Sequence, residues 1–158
     1  MRAASFAAGL LEDLKNHADK MKSTVIWNIE KGIPMTGLEI AAAQKTRGMH
    51  FQEMVQFFNE YDYLLLPTAQ VVPFSVDVEW PKEINGVRME TYIDWMMIVS
   101  LITNTEHPAA SVPGGFTADG LPIGLQIVGK FRDELSVLQL AYAFEQATKF
   151  GEQRPGIK

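Results

Sequence analysis

A single α/β domain is what the sequence predicts: a partial, mixed β-sheet covered by helices, spanning residues 1–158. Three observations carry that expectation. Apolar residues recur with helical spacing in four segments. Short apolar runs bounded by proline or glycine lie among them and read as strands. Those runs are too few for a complete large sheet, so the sheet is expected to be partial. The chain is long enough to bury a real core, and its 47% hydrophobic and 21% charged content is ordinary for a globular protein.

The elements follow in order. Residues 5–21 set Phe6, Leu10, Leu14 and Met21 near one face of a helix. Thr36 opens a second helix, and Glu39 stands three positions on, the spacing at which each side chain satisfies an orphan backbone N–H of the other's first turn. Phe51, Met54, Val55 and Phe58 keep its periodicity to about residue 59. Residues 62–66 are a short apolar run stopped by Pro67, read as a strand covered on both faces. Residues 71–80 are extended or looping, because Pro73 and Pro81 exclude a long regular element. Ile84-Asn85-Gly86-Val87 reads as a turn, with Asn-Gly supplying positive φ.

From 88 to about 101 the sequence predicts an apolar helix with Met89, Tyr92, Ile93, Met96, Met97 and Ser100 in one stripe. Its opposite face is nearly as apolar, so it is expected to be buried almost all round. Strands follow around 109–112 and 123–128, with Asp119-Gly120 turning between them. Asp133 is a good N-cap for the last helix, which carries the stripe Val137, Leu140, Ala141, Phe144 and Thr148. Gly151 is expected to stop it, with Pro155 beyond.

Composition excludes several functions. The net charge of -5, with no run of Lys or Arg longer than two, argues against a nucleic-acid partner. The longest apolar run, 96–102, is broken by Ser100 and far too short to span a bilayer, so no membrane association is expected. Glu12, Asp13 and Lys15 interrupt the short N-terminal apolar stretch and continue a helical pattern, against a targeting segment. With no cysteine, disulfides, thiol catalysis and cysteine-bound metal are out, and a cytoplasmic location fits. His17, His50 and His107 lack metal-ligand spacing, so no metal or cofactor is expected. Ser111 with Lys130 or His107 has no nucleophile-elbow sequence. Gly114-Gly115 and Asp119-Gly120 lack phosphate-loop spacing and read as hairpin turns.

Four blocks stand in a distinctive order. The first is Tyr61-Asp62-Tyr63-Leu64-Leu65-Leu66-Pro67-Thr68. The second is the 92–102 helix followed by His107-Pro108-Ala109-Ala110-Ser111-Val112-Pro113. The third is Gly120-Leu121-Pro122-Ile123-Gly124-Leu125-Gln126-Ile127-Val128-Gly129. The last is Ala141-Tyr142-Ala143-Phe144-Glu145-Gln146-Ala147-Thr148, with Arg154-Pro155 after it. Through these blocks the chain resembles the amidase-signature hydrolases, specifically their C-terminal portion, over about residues 36–155.

The resemblance implies the C-terminal part of that fold and a small-molecule amide as substrate of the parent enzyme. The implied chemistry is acyl transfer to serine and then to water. It uses a Ser–cis-Ser–Lys triad whose lysine is a base because burial depresses its pKa, with backbone N–H groups as oxyanion hole. That serine-rich segment belongs to the family's earlier two-thirds and is not in these residues. Gly114-Gly115 are followed by Phe116 and Thr117, so no catalytic residue carries over and the chain alone is expected to be inert. Tyr92, Trp95 and Met96 fall where the resemblance puts the acyl-binding pocket, and two readings stand for each: pocket wall or core packing. Phe74 and Trp80 lie in the proline-rich loop, as pocket rim or interface. The family often has glycine where Glu106 stands and asparagine where Thr103 stands; if that position needs positive φ, Glu106 strains the loop. Self-association and pairing with an N-terminal catalytic half are further readings, since apolar strands without neighbours seek partners. An ammonia-transferring amidotransferase parent shares the same motif.

Overall fold

The computed structural model describes residues 1–153. Among these the elements run α1 (Arg2–His17), α2 (Ser23–Gly32), α3 (Gly37–Glu60), β1 (Leu64–Pro67), β2 (Glu83–Ile84), β3 (Val87–Arg88), α4 (Met97–Asn104), β4 (Ala109–Phe116), β5 (Pro122–Val128) and α5 (Glu134–Thr148). Arg154, Pro155 and the residues after them lie outside the described residues. Two compact units are present, Met1–Met49 and the remainder from His50.

In the first unit α1 packs on α2. Gly32 makes the contact close: a Cβ there would run into the Ala3 backbone carbonyl and the Ala7 side chain. The helix predicted over 5–21 stops at His17 and passes into a 3-10 turn, Ala18–Lys20. The sequence reading contains no helix at α2. Thr24, Val25, Ile26 and Ile29 are β-branched and weaken local propensity, and the N-cap Lys22 makes no side-chain cap bond. The cap of α3 is as predicted. The Thr36 backbone N–H donates to Glu39 Oε2 at 2.7 Å, and the Glu39 N–H donates to Thr36 Oγ1 at 3.2 Å. The Thr36 backbone N–H first, and its hydroxyl second, hold the Glu39 carboxyl below the usual carboxylate range. A lowered folded-state pKa means this contribution is present above the unfolded pKa and fades as pH falls through the folded one.

The second unit is built on a three-stranded sheet in the order β1-β5-β4, antiparallel throughout. Strand β5 is central, with Leu64 opposite Val128 on one side and Ala109 opposite Val128 on the other. Successive strand residues point to opposite faces, and both Ile127 and Val128 are fully buried. Ile127 packs with Val112, Val137 and Ala141, so α5 covers that face; Val128 packs with Phe58 and Ile102, from α3 and α4, on the other. Full burial of each such side chain contributes about 1.5–3 kcal/mol. Tyr63 reinforces the α5 side by donating its hydroxyl to Ser136 O at 3.2 Å. The expectation that the 62–66 strand is covered on both faces needs correction: Leu65 is 53% exposed. Helix α5 packs mainly on β4 and β5.

The long apolar helix predicted over 88–101 also needs correction. Asn85 and Gly86, at φ 52° and 77°, turn the chain into the β2–β3 hairpin, which takes up Arg88. The Met89 N–H then donates to Lys82 O at 2.8 Å. The Asp94 carboxylate accepts from the Thr91 N–H at 2.7 Å and starts a 3-10 turn, Asp94–Met96, so regular α-helix begins only at Met97. Met89, Tyr92 and Met97 therefore do not share a helical stripe. Ile102 is buried while Met97 and Leu101 are exposed, so α4 is covered on one side only among the described residues.

Strand β4 runs past its predicted end to Phe116, through a bulge between Pro113 and Gly115. Pro113 is tolerated because β4 is an edge strand and loses no ladder bond on its open side. Asp133 caps α5 as predicted, its Oδ1 accepting from the Ser136 N–H at 3.3 Å. The helix ends before Gly151, with Lys149 in the left-handed region at φ 57° and its N–H donated to Glu145 O.

Glu106 has φ 60°, in the region that favours glycine. It joins α4 to β4 between two buried residues, Thr105 and His107, so the turn is held from both sides. Glu106→Gly is expected to raise the unfolding free energy by roughly 0.5–1 kcal/mol, the relief of the left-handed conformation less glycine's greater chain entropy. Urea denaturation checks this; a lower midpoint would show that the turn is not strained.

Candidate functional site

One open cleft, of about 720 Å³, lies at the end of the sheet where β1 finishes and β5 begins. Its size falls within the range of about 300–1,000 Å³ usual for small-molecule sites. Three pieces form it. The chain leaving β1, from Pro67 to Phe74, makes one wall; Trp95 another; Ile123, Gly124 and Leu125 of β5, with Gly114, the floor and rim. None of the lining residues is charged, and Thr68 and Gln70 are the polar side chains among them. Phe74 meets Trp95 edge-to-face, with centroids 5.5 Å apart and planes at 86°. Such a pair is worth about 0.5–1.5 kcal/mol beyond its area burial and stiffens the apolar wall.

Gly124 organises the floor. The Thr68 N–H donates to Gly124 O at 3.0 Å, extending the β1–β5 ladder one residue past Pro67. Above the glycine, Thr68 Oγ1 and Ser111 Oγ lie 2.8 Å apart, a hydroxyl pair that bridges β1 and β4 across the central strand. A Cβ at Gly124 would sit 2.7 Å from Thr68 Oγ1 and 3.2 Å from Ser111 Oγ, so the bridge exists because the residue between has no side chain.

The three residues singled out from the sequence part company. Trp95 lines the cleft, while Tyr92 sits edge-on to Trp80 at 6.4 Å and Met96 ends the 3-10 turn, partly buried; neither Tyr92 nor Met96 lines it. Phe74 lines the cleft too, and Trp80 belongs instead to a recess beside the hairpin, with Lys82 Nζ 3.0 Å above its ring. Thr68, Gln70 and Gly124 were not singled out from the sequence. The available signal for Thr68 was its place directly after Pro67, where a strand end meets a loop; Gln70 carried none.

The remaining polar groups are engaged elsewhere. Lys130 Nζ pairs with Asp62 Oδ1 at 3.1 Å, while the Ser111 hydroxyl belongs to Thr68, so these two are not a nucleophile and base. His107 is 7% exposed and stacks on Phe58 at 5.1 Å, with Phe51 at 5.5 Å. Its Nδ1 lies 2.8 Å from Thr105 O; a carbonyl only accepts, so Nδ1 carries the proton. His107 thus serves as a packing ring that fastens the turn before β4. No group of three or more His, Asp or Glu able to hold a metal ion occurs among the described residues. No helix among them is long and apolar enough to cross a membrane.

Comparison with known proteins agrees on one relationship. A family model described as Amidase matches residues 10–138. The chain is 30% identical over 146 residues to an acylamidase of Rhodococcus erythropolis, a match covering 92% of this chain and 30% of that protein. It is 36% identical over 113 residues to a glutamyl-tRNA(Gln) amidotransferase subunit of Geobacillus thermodenitrificans, covering 72% of this chain and 22% of the relative. Among solved structures it superposes on a bacterial aryl acylamidase of the amidase-signature enzymes with TM-score 0.83 and 29% identity, covering 97% of this chain and 34% of that one. A 6-aminohexanoate cyclic dimer hydrolase shares the fold, at TM-score 0.81 and 20% identity, with 98% of this chain and 34% of that one covered. The chain thus spans about a third or less of the length of the proteins it matches.

Gly124→Ala is expected to destabilise by about 1–3 kcal/mol, since the added methyl must push apart the hydroxyl pair in an ordered sheet. Urea denaturation measures it. Thr68→Val with Ser111→Ala in the same background should recover little, because the Thr68 Cβ, 3.0 Å from the new methyl, remains. Full recovery would show that the hydroxyls alone demand the glycine.

Proposed function

Because this chain belongs to the amidase-signature family, we propose that it forms the substrate wall of an amide hydrolase whose acyl-accepting serine lies in a part of the fold not contained in these residues. The reaction is cleavage of a carboxylic amide by acyl transfer to serine and then to water. The observation that carries the reading is the cleft itself: ligand-sized, uncharged, lined by Trp95 and Phe74, and set on the rim of the sheet. Such a surface binds and orients an apolar part of a small amide. The lining offers no base and no serine, and Ser111 behind Gly124 is tied to Thr68, so bond cleavage falls to groups outside these residues. The cytoplasm is the proposed location.

A serine-directed fluorophosphonate probe tests the division of labour. The pure 158-residue chain is expected to remain unlabelled. Stoichiometric labelling would place an activated serine among these residues and overturn the reading.

A second reading, association with a catalytic half or with another copy, is favoured by apolar faces left open. Leu135, Leu138 and Tyr142, at positions i, i+3 and i+7 of α5, are 66%, 60% and 65% exposed, and Met97 and Leu101 stand open one turn apart on α4. Contiguous apolar area of this kind marks contact surfaces. Sedimentation velocity over a concentration series is expected to show the isolated chain associating. A monomer persisting to high concentration would remove self-association.

A further inference from the structure

Gln70 is the one cleft residue whose hydrogen-bonding groups are divided between fold and cavity. Its Oε1 accepts the backbone N–H of Ile98 at 2.9 Å. Ile98 is the second residue of α4, whose first-turn N–H groups have no partner within the helix, and the N-cap Met96 supplies no side-chain cap. Gln70 thus caps α4 from the cleft wall. A backbone N–H can only donate, so the oxygen end of the carboxamide must face the helix and the NH2 end must turn away. Gln70 lines the cleft, and no acceptor among the described residues takes that NH2. The cap therefore presents two oriented N–H donors in an uncharged, mainly apolar space whose other polar side chain, Thr68, is already paired with Ser111.

We propose that Gln70 is a specificity-determining residue: its NH2 group hydrogen-bonds an acceptor oxygen on a neutral, apolar ligand held against Trp95 and Phe74. The inference rests on the cleft being a ligand site, as read above. The ligand class follows from the lining. A cation would find no carboxylate there, and a carboxylate would be removed from water with no counter-charge. A neutral ring or chain carrying a ketone, ether or amide oxygen meets both demands, since apolar walls cover its body and the fixed donors meet its oxygen. Discrimination is sharper than for a mobile side chain, because the carboxamide is already held when the ligand arrives.

A matched pair of neutral probes separates this inference from the reading beneath it. Acetophenone and ethylbenzene have nearly the same shape and differ at one carbonyl. Each is titrated into the full chain, following the Trp95 indole N–H and the Ile123 and Leu125 methyl signals by NMR. Both are expected to shift these signals, with acetophenone binding roughly five- to tenfold tighter. Gln70→Glu keeps an oxygen for the Ile98 N–H but removes both donors, and is expected to bring that ratio to one or below. Equal affinities in the unsubstituted chain, or a preference that survives Gln70→Glu, would overturn the role of Gln70 while leaving the cleft a binding site. Failure of both probes to shift the cleft signals would overturn the cleft reading and this inference together.

Discussion

The double burial of β5 is the constraint on which the rest of the second unit depends. Ile127 and Val128 are consecutive, point to opposite faces, and are both fully buried. Their burial requires helices on each side: α5 over Ile127, and α3 with α4 over Val128. It also requires a strand along each edge, which β1 and β4 provide in an antiparallel ladder. A one-residue slip of β5 would exchange the two faces and turn Gln126, which now shares the face of Val128, toward the cluster under α5, so register here is held by packing as well as by hydrogen bonds.

The block Gly120 to Gly129 acquires a physical meaning from this arrangement. Gly120, at φ 80°, turns the chain into β5, and its N–H donates to Thr117 O. Gly124 leaves room for the hydroxyl pair that ties β1 to β4. Gly129 lets α5 approach, since a Cβ there would run into Val137, itself buried against Ile127. Each glycine therefore answers a different local demand: a left-handed turn, a bridge across a strand, and a helix packed close to the sheet. This is why so short a stretch is distinctive while the helices around it are not.

What was legible in the sequence was what local chemistry dictates. The Thr36–Glu39 box, the Asp133 cap and the Asn85-Gly86 turn are decided within a few residues, and all three form as read. The amphipathic stripe of α5 was equally plain, because one face meets the core and the other does not. Helix α2 was hidden because burial of Asn28, Ile29 and Gly32 outweighs its poor propensity, and burial is a tertiary fact. The segment 88–101 misled for the opposite reason. Its strongly apolar character looked like one helix, whereas the β2–β3 hairpin takes its first residue and the Asp94 cap restarts the chain. At the site, Trp95 was reachable through the family resemblance. Thr68 stood in the first family block without a role and Gln70 stood in none, because each takes its role from a partner, Ser111 or Ile98, that lies 43 or 28 residues away in sequence.

Under the proposed reading this chain binds and other residues carry the chemistry, and the two tasks place different demands on structure. A catalytic serine needs a base and oxyanion donors held to a fraction of an ångström, which favours one rigid loop carrying all of them. A substrate wall has a looser requirement: apolar area, one or two oriented polar groups, and stiffness. The cleft obtains stiffness from two regular elements at once. Its floor is the ladder of β5, and its loop wall is pinned to the first turn of α4 through Gln70. The chain between Pro67 and Phe74 can therefore vary in sequence while its ends stay anchored, by the sheet at Thr68 and by the aromatic pair at Phe74. Under the proposed function, variation along that loop would change the shape of the ligand wall while the sheet beneath it stays the same.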